Sequence, residues 1–323
     1  MKIVVIGGTR KSGTTLFHSL FDGHPDIILP PHDLNVFYAF YPRWTNSKIT
    51  KKEKRKRLFK VTVLAWLEKY KIYQSNTEFL KTKKKLISFF EKNFSDYNFN
   101  DINHLFNFTI KLALAPFDSR KKKVVILKET SFEFHLLNLK KKIIFIKLSR
   151  DPRDILSALK PGLKSKYKKI GEDFYDLFFS TFIRYSLSIK AFDLLKYKKN
   201  IKAKEIRFED LVLKPRKTLL HISKFIGIKF DKILLKPSML EKKFTGNNLN
   251  KQKFNKISKN NIGKWNRRLD KKTIMHLEAL LKFEILKNKY TIKNTQDNFS
   301  LGEIYAMLND KYFFKDRYKK FKL

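Results

Sequence analysis

Lys11, Ser12, Thr14 and Thr15 cluster around two glycines, Gly8 and Gly13, directly after the apolar run Ile3–Ile6. A short strand entering a glycine-bounded, cationic, hydroxyl-rich turn is followed at once by Leu16, Phe17 and Leu20 at helical spacing. That arrangement aims backbone N–H groups and a helix N-terminus at one point, where a phosphate or sulfate would sit. The Gly8-x4-Gly13 spacing is that of a Walker A loop, but Thr14 stands where its lysine belongs and the lysine has moved upstream to Lys11. ATP or GTP is therefore disfavoured, and another phosphorylated ligand is favoured.

A second cationic group follows the apolar run Ile143–Leu148: Ser149-Arg150-Asp151-Pro152-Arg153-Asp154, then Ser157. Asp151 predicts an N-cap and Pro152 the first helical residue, so a helix opens here. Arg150 ends its strand at the carboxyl edge of a sheet, where open α/β folds bind ligands. With Ser157 on the same side of the helix as Arg153 and Asp154, an arginine fork and a hydroxyl suit a phosphate dianion. The same residues also suit a plain ion pair of Arg150 with Asp151 or Asp154.

The elements that must carry these groups read as short buried strands at Ile3–Ile6, Val124–Leu127, Ile143–Leu148 and, more weakly, Ala203–Ile206. Helical patterns lie between them, over 14–22, 52–70, 76–94, 101–117, 152–159, 174–198 and 215–226, with another over 270–287. Strands alternating with helices imply a doubly wound α/β fold: a central parallel sheet flanked by helices in three layers. Residues 51–118 carry no strand signal and read as a helical insertion after the first strand–helix unit. Residues 1–290 form one expected domain, with 291–323 a charged C-terminal extension holding one weak apolar helix near 301–308. The polar stretch 247–261 reads as a mobile loop.

Bulk composition bounds the function classes. The 323 residues suffice for a substantial core. The apolar run ending at Ile6 is too short for a signal-peptide core, and no stretch approaches the ~18 apolar residues that span a bilayer. Zero cysteines exclude disulfides and thiolate metal sites and fit a reducing cytoplasm. The seven histidines show no ligand spacing, so no metal is expected. A formal charge of +42 invites a nucleic-acid reading, but the excess is mostly lysine spread along the chain beside Asn, Ile and Phe. That pattern reads as an AT-rich compositional bias on solvated faces, and no specific nucleic-acid partner is expected.

These residues together resemble the sulfotransferases that use 3′-phosphoadenosine 5′-phosphosulfate (PAPS). The first loop is similar to their 5′-phosphosulfate loop, and Arg150 with Ser157 to their 3′-phosphate motif. Asp22-Gly23-His24-Pro25-Asp26, Lys128-Glu129-Thr130, Ile206-Arg207-Phe208-Glu209-Asp210-Leu211-Val212 with Pro215, Gly246-Asn247-Asn248, and Gly263-Lys264-Trp265 resemble further family elements in the same order. The resemblance implies a P-loop-NTPase-like fold and in-line transfer of a sulfuryl group to an acceptor hydroxyl, a carbohydrate among the candidates, with release of 3′-phosphoadenosine 5′-phosphate. No metal is implied.

Residue by residue, the resemblance implies that Arg10, Lys11, Ser12, Gly13, Thr14 and Thr15 hold the 5′ end of the donor. Lys11 is expected at the leaving oxygen, where positive charge stabilises the transition state. Lys128 is expected beside the transferring sulfuryl group, unless it is one more surface lysine. Arg150 and Ser157 would hold the 3′-phosphate, Phe208 would stack on adenine in place of the usual tyrosine, and Gly263 and Lys264 would close over the site. For the general base the chain offers His32 first, then Asp33, with Glu129 a third choice. The rival functions are a P-loop nucleotide kinase, for which the lysine and a strand-end acidic metal ligand are missing, and a non-catalytic polyanion or nucleic-acid binder. The sequence leaves the acceptor and the oligomeric state open.

Overall fold

A computed structural model describes residues 1–34, 50–130, 133–169, 171, 173–244, 246 and 256–293. The central sheet has five parallel strands: β1 (Lys2–Gly7), β2 (Ile27–Ile28), β3 (Val124–Lys128), β4 (Ile143–Ser149) and β5 (Ile201–Arg207), in the spatial order β2-β3-β1-β4-β5. The chain leaves β1 for one side of the sheet and later crosses to the other. The crevice above β1, between β3 and β4, is thus the switch point where open α/β sheets bind ligands.

Ile3 to Gly7 of β1 are all buried, and their side chains alternate between the two faces of the sheet with the two-residue period of a strand. Ile3 and Val5 face a core shared with Val125, Leu127, Phe145 and helices drawn from residues 51–114. Val4 and Ile6 face the opposite core with Ile126, Ile146 and Leu148. Both faces are covered, which is why these strands read as unbroken apolar runs.

The first helix, α1, spans Thr14–Ser19, shorter than the 14–22 expected from sequence. Residues 51–114 supply α2 (Lys51–Phe59), a π-helical turn at Lys60–Leu64, α3 (Ala65–Tyr73), α4 (Asn76–Asn93) and α5 (Ile102–Leu114). No strand lies between residues 51 and 118 among the described residues. The helices enter after β2, a two-residue strand too short to leave a sequence signal. Ser75 caps α4 reciprocally with Glu78, and Asp101 caps α5 through the Asn103 N–H, 2.7 Å from its carboxylate.

Beyond β4 come α6 (Pro152–Leu159), α7 (Phe174–Leu195) and, after β5, α8 (Phe208–Leu213) and α9 (Pro215–Ile226). Asp151 caps α6 with Pro152 at its first position, as the sequence predicts. A small antiparallel hairpin, Ser238–Met239 with Lys242–Lys243, is held by Asp22, whose carboxylate accepts the Ser238 hydroxyl and the Leu240 and Glu241 N–H groups at 2.7–3.1 Å. The helix expected over 270–287 is two, Lys271–Leu280 and Lys282–Lys287, broken at Leu281. The loop expected over 247–261 is described only from residue 256, and the helix near 301–308 lies outside the described residues. No helix among the described residues is long and apolar enough to cross a membrane.

Candidate active site

The β1–α1 loop is built around two glycines that nothing larger can replace. Gly8 has φ +138°, and a Cβ there would lie 2.3 Å from the Leu148 carbonyl oxygen, so the loop crosses directly over the end of β4. Gly13 has φ +98°, and its Cβ would lie 2.4 Å from the Phe208 ring. Between them the Ser12 N–H donates to the Thr9 carbonyl at 3.1 Å, closing a tight turn with Lys11 in the left-handed region at φ +66°. No side chain caps α1, so its first N–H groups have no partner within the helix. The Ser12 hydroxyl is fully buried and has no hydrogen-bond partner among the described residues. Arg10 donates to Ser180 Oγ of α7 at 2.6 Å with its guanidinium 5.4 Å from the Tyr167 ring centre.

Lys128 ends β3 on the other side of β1. Its buried ammonium donates to Thr15 Oγ1 at 2.9 Å and pairs with Asp33 at 2.6 Å. A parallel bridge between Asp33 and Lys128 fixes the two backbones as well. The Glu129 N–H donates to the Ile6 carbonyl at 2.9 Å and ties this strand end to β1.

His32 is buried beside this pair. Its ring stacks on Trp66 at 3.9 Å with an interplanar angle of 8°, and Tyr70 meets it edge-on at 5.9 Å. Nδ1 lies 3.3 Å from the Asp33 carbonyl, which also accepts from Trp66 Nε1 at 2.9 Å. A carbonyl only accepts, so Nδ1 carries the proton in this contact and Nε2 keeps its lone pair. That Nε2 is buried with no hydrogen-bond partner among the described residues. Burial, then the charge of Lys128, pull the pKa down to about 3, opposed by the Asp33 carbonyl. His32 is thus a neutral acceptor across the physiological range, rather than a group titrating near neutrality.

His18, absent from the sequence-based candidates, belongs to the same buried cluster. Its Nε2 lies 3.4 Å from the Ile126 carbonyl, and burial followed by Lys128 holds its pKa well below the usual value. The signal was its place on α1, one turn beyond Thr14 and Thr15.

Arg150 joins the first loop to a late one. Its guanidinium donates to the Lys11 carbonyl at 2.8 Å and the Asn261 carbonyl at 2.5 Å, and lies 4.7 Å from the Phe208 ring centre. Burial lowers its pKa, offset first by Asp154, and Nε has no hydrogen-bond partner among the described residues. The Asp154 carboxylate accepts the Gly263 N–H at 2.7 Å and the Trp265 N–H at 3.1 Å. Lys264 donates to Asn261 Oδ1 at 2.7 Å, and burial with the nearby Arg268, Arg150 and Arg267 lowers its pKa. Ser157 is fully buried, its hydroxyl donating to the Asp154 carbonyl of its own helix at 3.2 Å. Phe208 packs edge-close to Gly13 and beside Arg150.

The expected residues therefore form two clusters on either side of β1. Lys11, Gly13, Arg150, Phe208, Gly263 and Lys264 gather toward β4; Thr15, Lys128, Asp33 and His32 gather toward β3. Loop 8–15 belongs to both. The described residues include no group of His, Asp and Glu able to hold a metal ion.

None of the curated proteins matches the chain. Among solved structures, the sulfotransferase domain from the curacin biosynthetic pathway is similar over 90% of this chain and 98% of its own, at 18% identity and a TM-score of 0.58. The sulfotransferase domain of the Synechococcus PCC 7002 olefin synthase is similar over 86% and 94% at 17% identity and a TM-score of 0.47. The first of these likenesses establishes a shared fold. The profile of the sulfotransferase family matches residues 4–232, which take in most of the sheet, the first loop, Lys128, Arg150 and Phe208 but not the 261–265 loop, and the chain belongs to that family.

Proposed function

We propose that the chain transfers a sulfuryl group from PAPS to an acceptor hydroxyl by in-line displacement. The observation that carries this reading is a pair of buried donors with no partner among the described residues, Ser12 Oγ and Arg150 Nε, on two cationic loops joined by the Arg150–Lys11 hydrogen bond. Buried donors normally find acceptors, and an anion with negative charge at two ends would satisfy both. The residues present therefore fit PAPS. When bound, PAPS supplies an activated sulfuryl group whose bridging oxygen departs with the bonding electrons.

In this reading the N–H groups of 12–15 and the Ser12 hydroxyl hold the 5′ end, Arg10 braces the loop on α7, and Lys11 offsets charge at the leaving oxygen. Lys128, held between Thr15 and Asp33, neutralises the sulfuryl oxygens. Arg150 and Lys264 hold the 3′-phosphate under the Gly263 turn, Ser157 supports the Asp154 carbonyl, and Phe208 lines the adenine side. His32, fixed as the Nε2 acceptor, takes the acceptor's proton, and Asp33 is the alternative base. Residues 1–290 act as one catalytic unit and 291–323 as an extension. The excess of lysine favours an anionic acceptor, an acidic carbohydrate among them, and the lack of cysteine favours a reducing cytoplasm.

Calorimetric titration with 3′-phosphoadenosine 5′-phosphate, ADP and ATP tests the reading. Clear preference for the first supports it; equal binding of the three overturns it. A screen of hydroxyl acceptors with labelled PAPS then identifies the second substrate.

A further inference from the structure

We infer that Asp154 is the positioning residue that locks the 261–265 loop beside Arg150 and so lets the site select a nucleotide bearing a 3′-phosphate; this rests on the PAPS reading above. Asp154 is 1% exposed, on the first turn of α6. A carboxylate so buried must be compensated, and its hydrogen-bond partners are two backbone N–H groups of a segment more than a hundred residues away: Gly263 at 2.7 Å and Trp265 at 3.1 Å. Arg150, one helical turn earlier, lies 4.0 Å from Asp154 and directs two of its nitrogens elsewhere, to the carbonyls of Lys11 and Asn261. The two side chains therefore grip one short loop from both polarities. The carboxylate takes its N–H groups at 263 and 265, and the guanidinium takes its carbonyl at 261.

Gly263 makes this possible. Its φ of +69° turns the chain sharply enough to bring two N–H groups, two residues apart, onto one carboxylate, and the space where its Cβ would stand is open. Lys264 lies between the two anchored amides, so its backbone is fixed on both sides. Arg150, Lys264, Arg267 and Arg268 are mutually repelling cations, and each of the others depresses the Lys264 pKa. Repulsion among like charges would drive the loop outward, and Asp154 is the anion that opposes it through the backbone. Without this anchor the late loop no longer presents Lys264 beside Arg150, while the Gly8–Gly13 turn at the other end is untouched. The loss is therefore confined to recognition of the 3′-phosphate.

The test compares 3′-phosphoadenosine 5′-phosphate with adenosine 5′-phosphate, which differ only in that group. Binding of both by calorimetry, and amide hydrogen exchange across 256–265, are measured on the full chain, on Asp154→Asn and on Gly263→Ala. Asp154→Asn is expected to weaken the first ligand at least tenfold, to change the second less than about twofold, and to speed exchange at Gly263 and Trp265. Gly263→Ala leaves the buried carboxylate in place and strains only the turn, so the same shift in the ratio excludes a misfolded Asp154→Asn protein as its cause. A folded Asp154→Asn protein that keeps the wild-type ratio, or loses both ligands equally, overturns the inference alone. Wild-type binding that ignores the 3′-phosphate overturns the PAPS reading, and this inference with it.

Discussion

The guanidinium of Arg150 donates to the main-chain carbonyl of Lys11 at 2.8 Å, tying the end of β4 to the turn after β1. A main-chain acceptor means that this link does not depend on the side chain at position 11, so long as the residue tolerates the left-handed φ of +66°. Changes to the Lys11 side chain therefore leave this particular link in place.

Lys11→Ala is expected to lower kcat by about 10²–10³-fold, the range for removing one group that stabilises a developing oxyanion. Its acceptor KM should change little, because the charge acts mainly as the leaving oxygen departs. Steady-state rates with the acceptor varied would decide it, and an unchanged kcat removes Lys11 from the mechanism.

His32→Gln is expected to cost on the order of a hundredfold in kcat. Because burial keeps His32 neutral down to about pH 3, the wild-type rate should show no ionisation of this group between pH 5 and 8. A normal His32→Gln rate alongside a collapsed Asp33→Ala rate would move the base by one residue.

Acid should weaken the fold. The unfolded chain protonates its histidines near 6.5 and folded His32 only near 3, so between those values the unfolded state binds more protons. Stability consequently rises with pH through that window and is lost on acidification, His32 contributing about 2 kcal/mol of loss at pH 5. Buried His18 acts in the same direction. Urea midpoints at pH 7 and pH 5 should diverge less in His32→Gln than in the wild type; equal divergence would show that His32 is solvated.

Arg153 is fully buried among Asp151, Glu278 and the face of Trp265, its guanidinium 4.0 Å from that ring. Arg153→Ala strands two carboxylates in the interior and is expected to cost about 3–5 kcal/mol of stability. Denaturant melts give the value, and a loss under about 1 kcal/mol would mean that water reaches the cluster.

Much of this was legible in the sequence, for identifiable reasons. Parallel strands buried on both faces leave unbroken apolar runs, so β1, β3 and β4 declared themselves, as did the Asp151-Pro152 helix start. The two-residue β2 and the Ser238–Lys243 hairpin have no run long enough to notice, and the break at Leu281 carries neither glycine nor proline. The site was visible as residue types and hidden as contacts. Arg150 meets carbonyls at 11 and 261, and Asp154 meets N–H groups at 263 and 265, partners that any residue type supplies. The low basicity of His32 arises from burial and the charge of Lys128, and the rings packed on it, Trp66 and Tyr70, lie more than thirty positions along the chain, which no local motif encodes.

The attachment of Arg150 to position 261 has a consequence for biogenesis. A ribosome delivers the glycine turn first and the guanidinium some 140 residues later, but the segment whose Asn261 carbonyl accepts from that guanidinium emerges only after more than a hundred further residues. A nascent or truncated chain ending near β5 would have a nearly whole sheet and half a binding site. Donor nucleotide would then stabilise only finished molecules, rewarding complete synthesis with added resistance to unfolding.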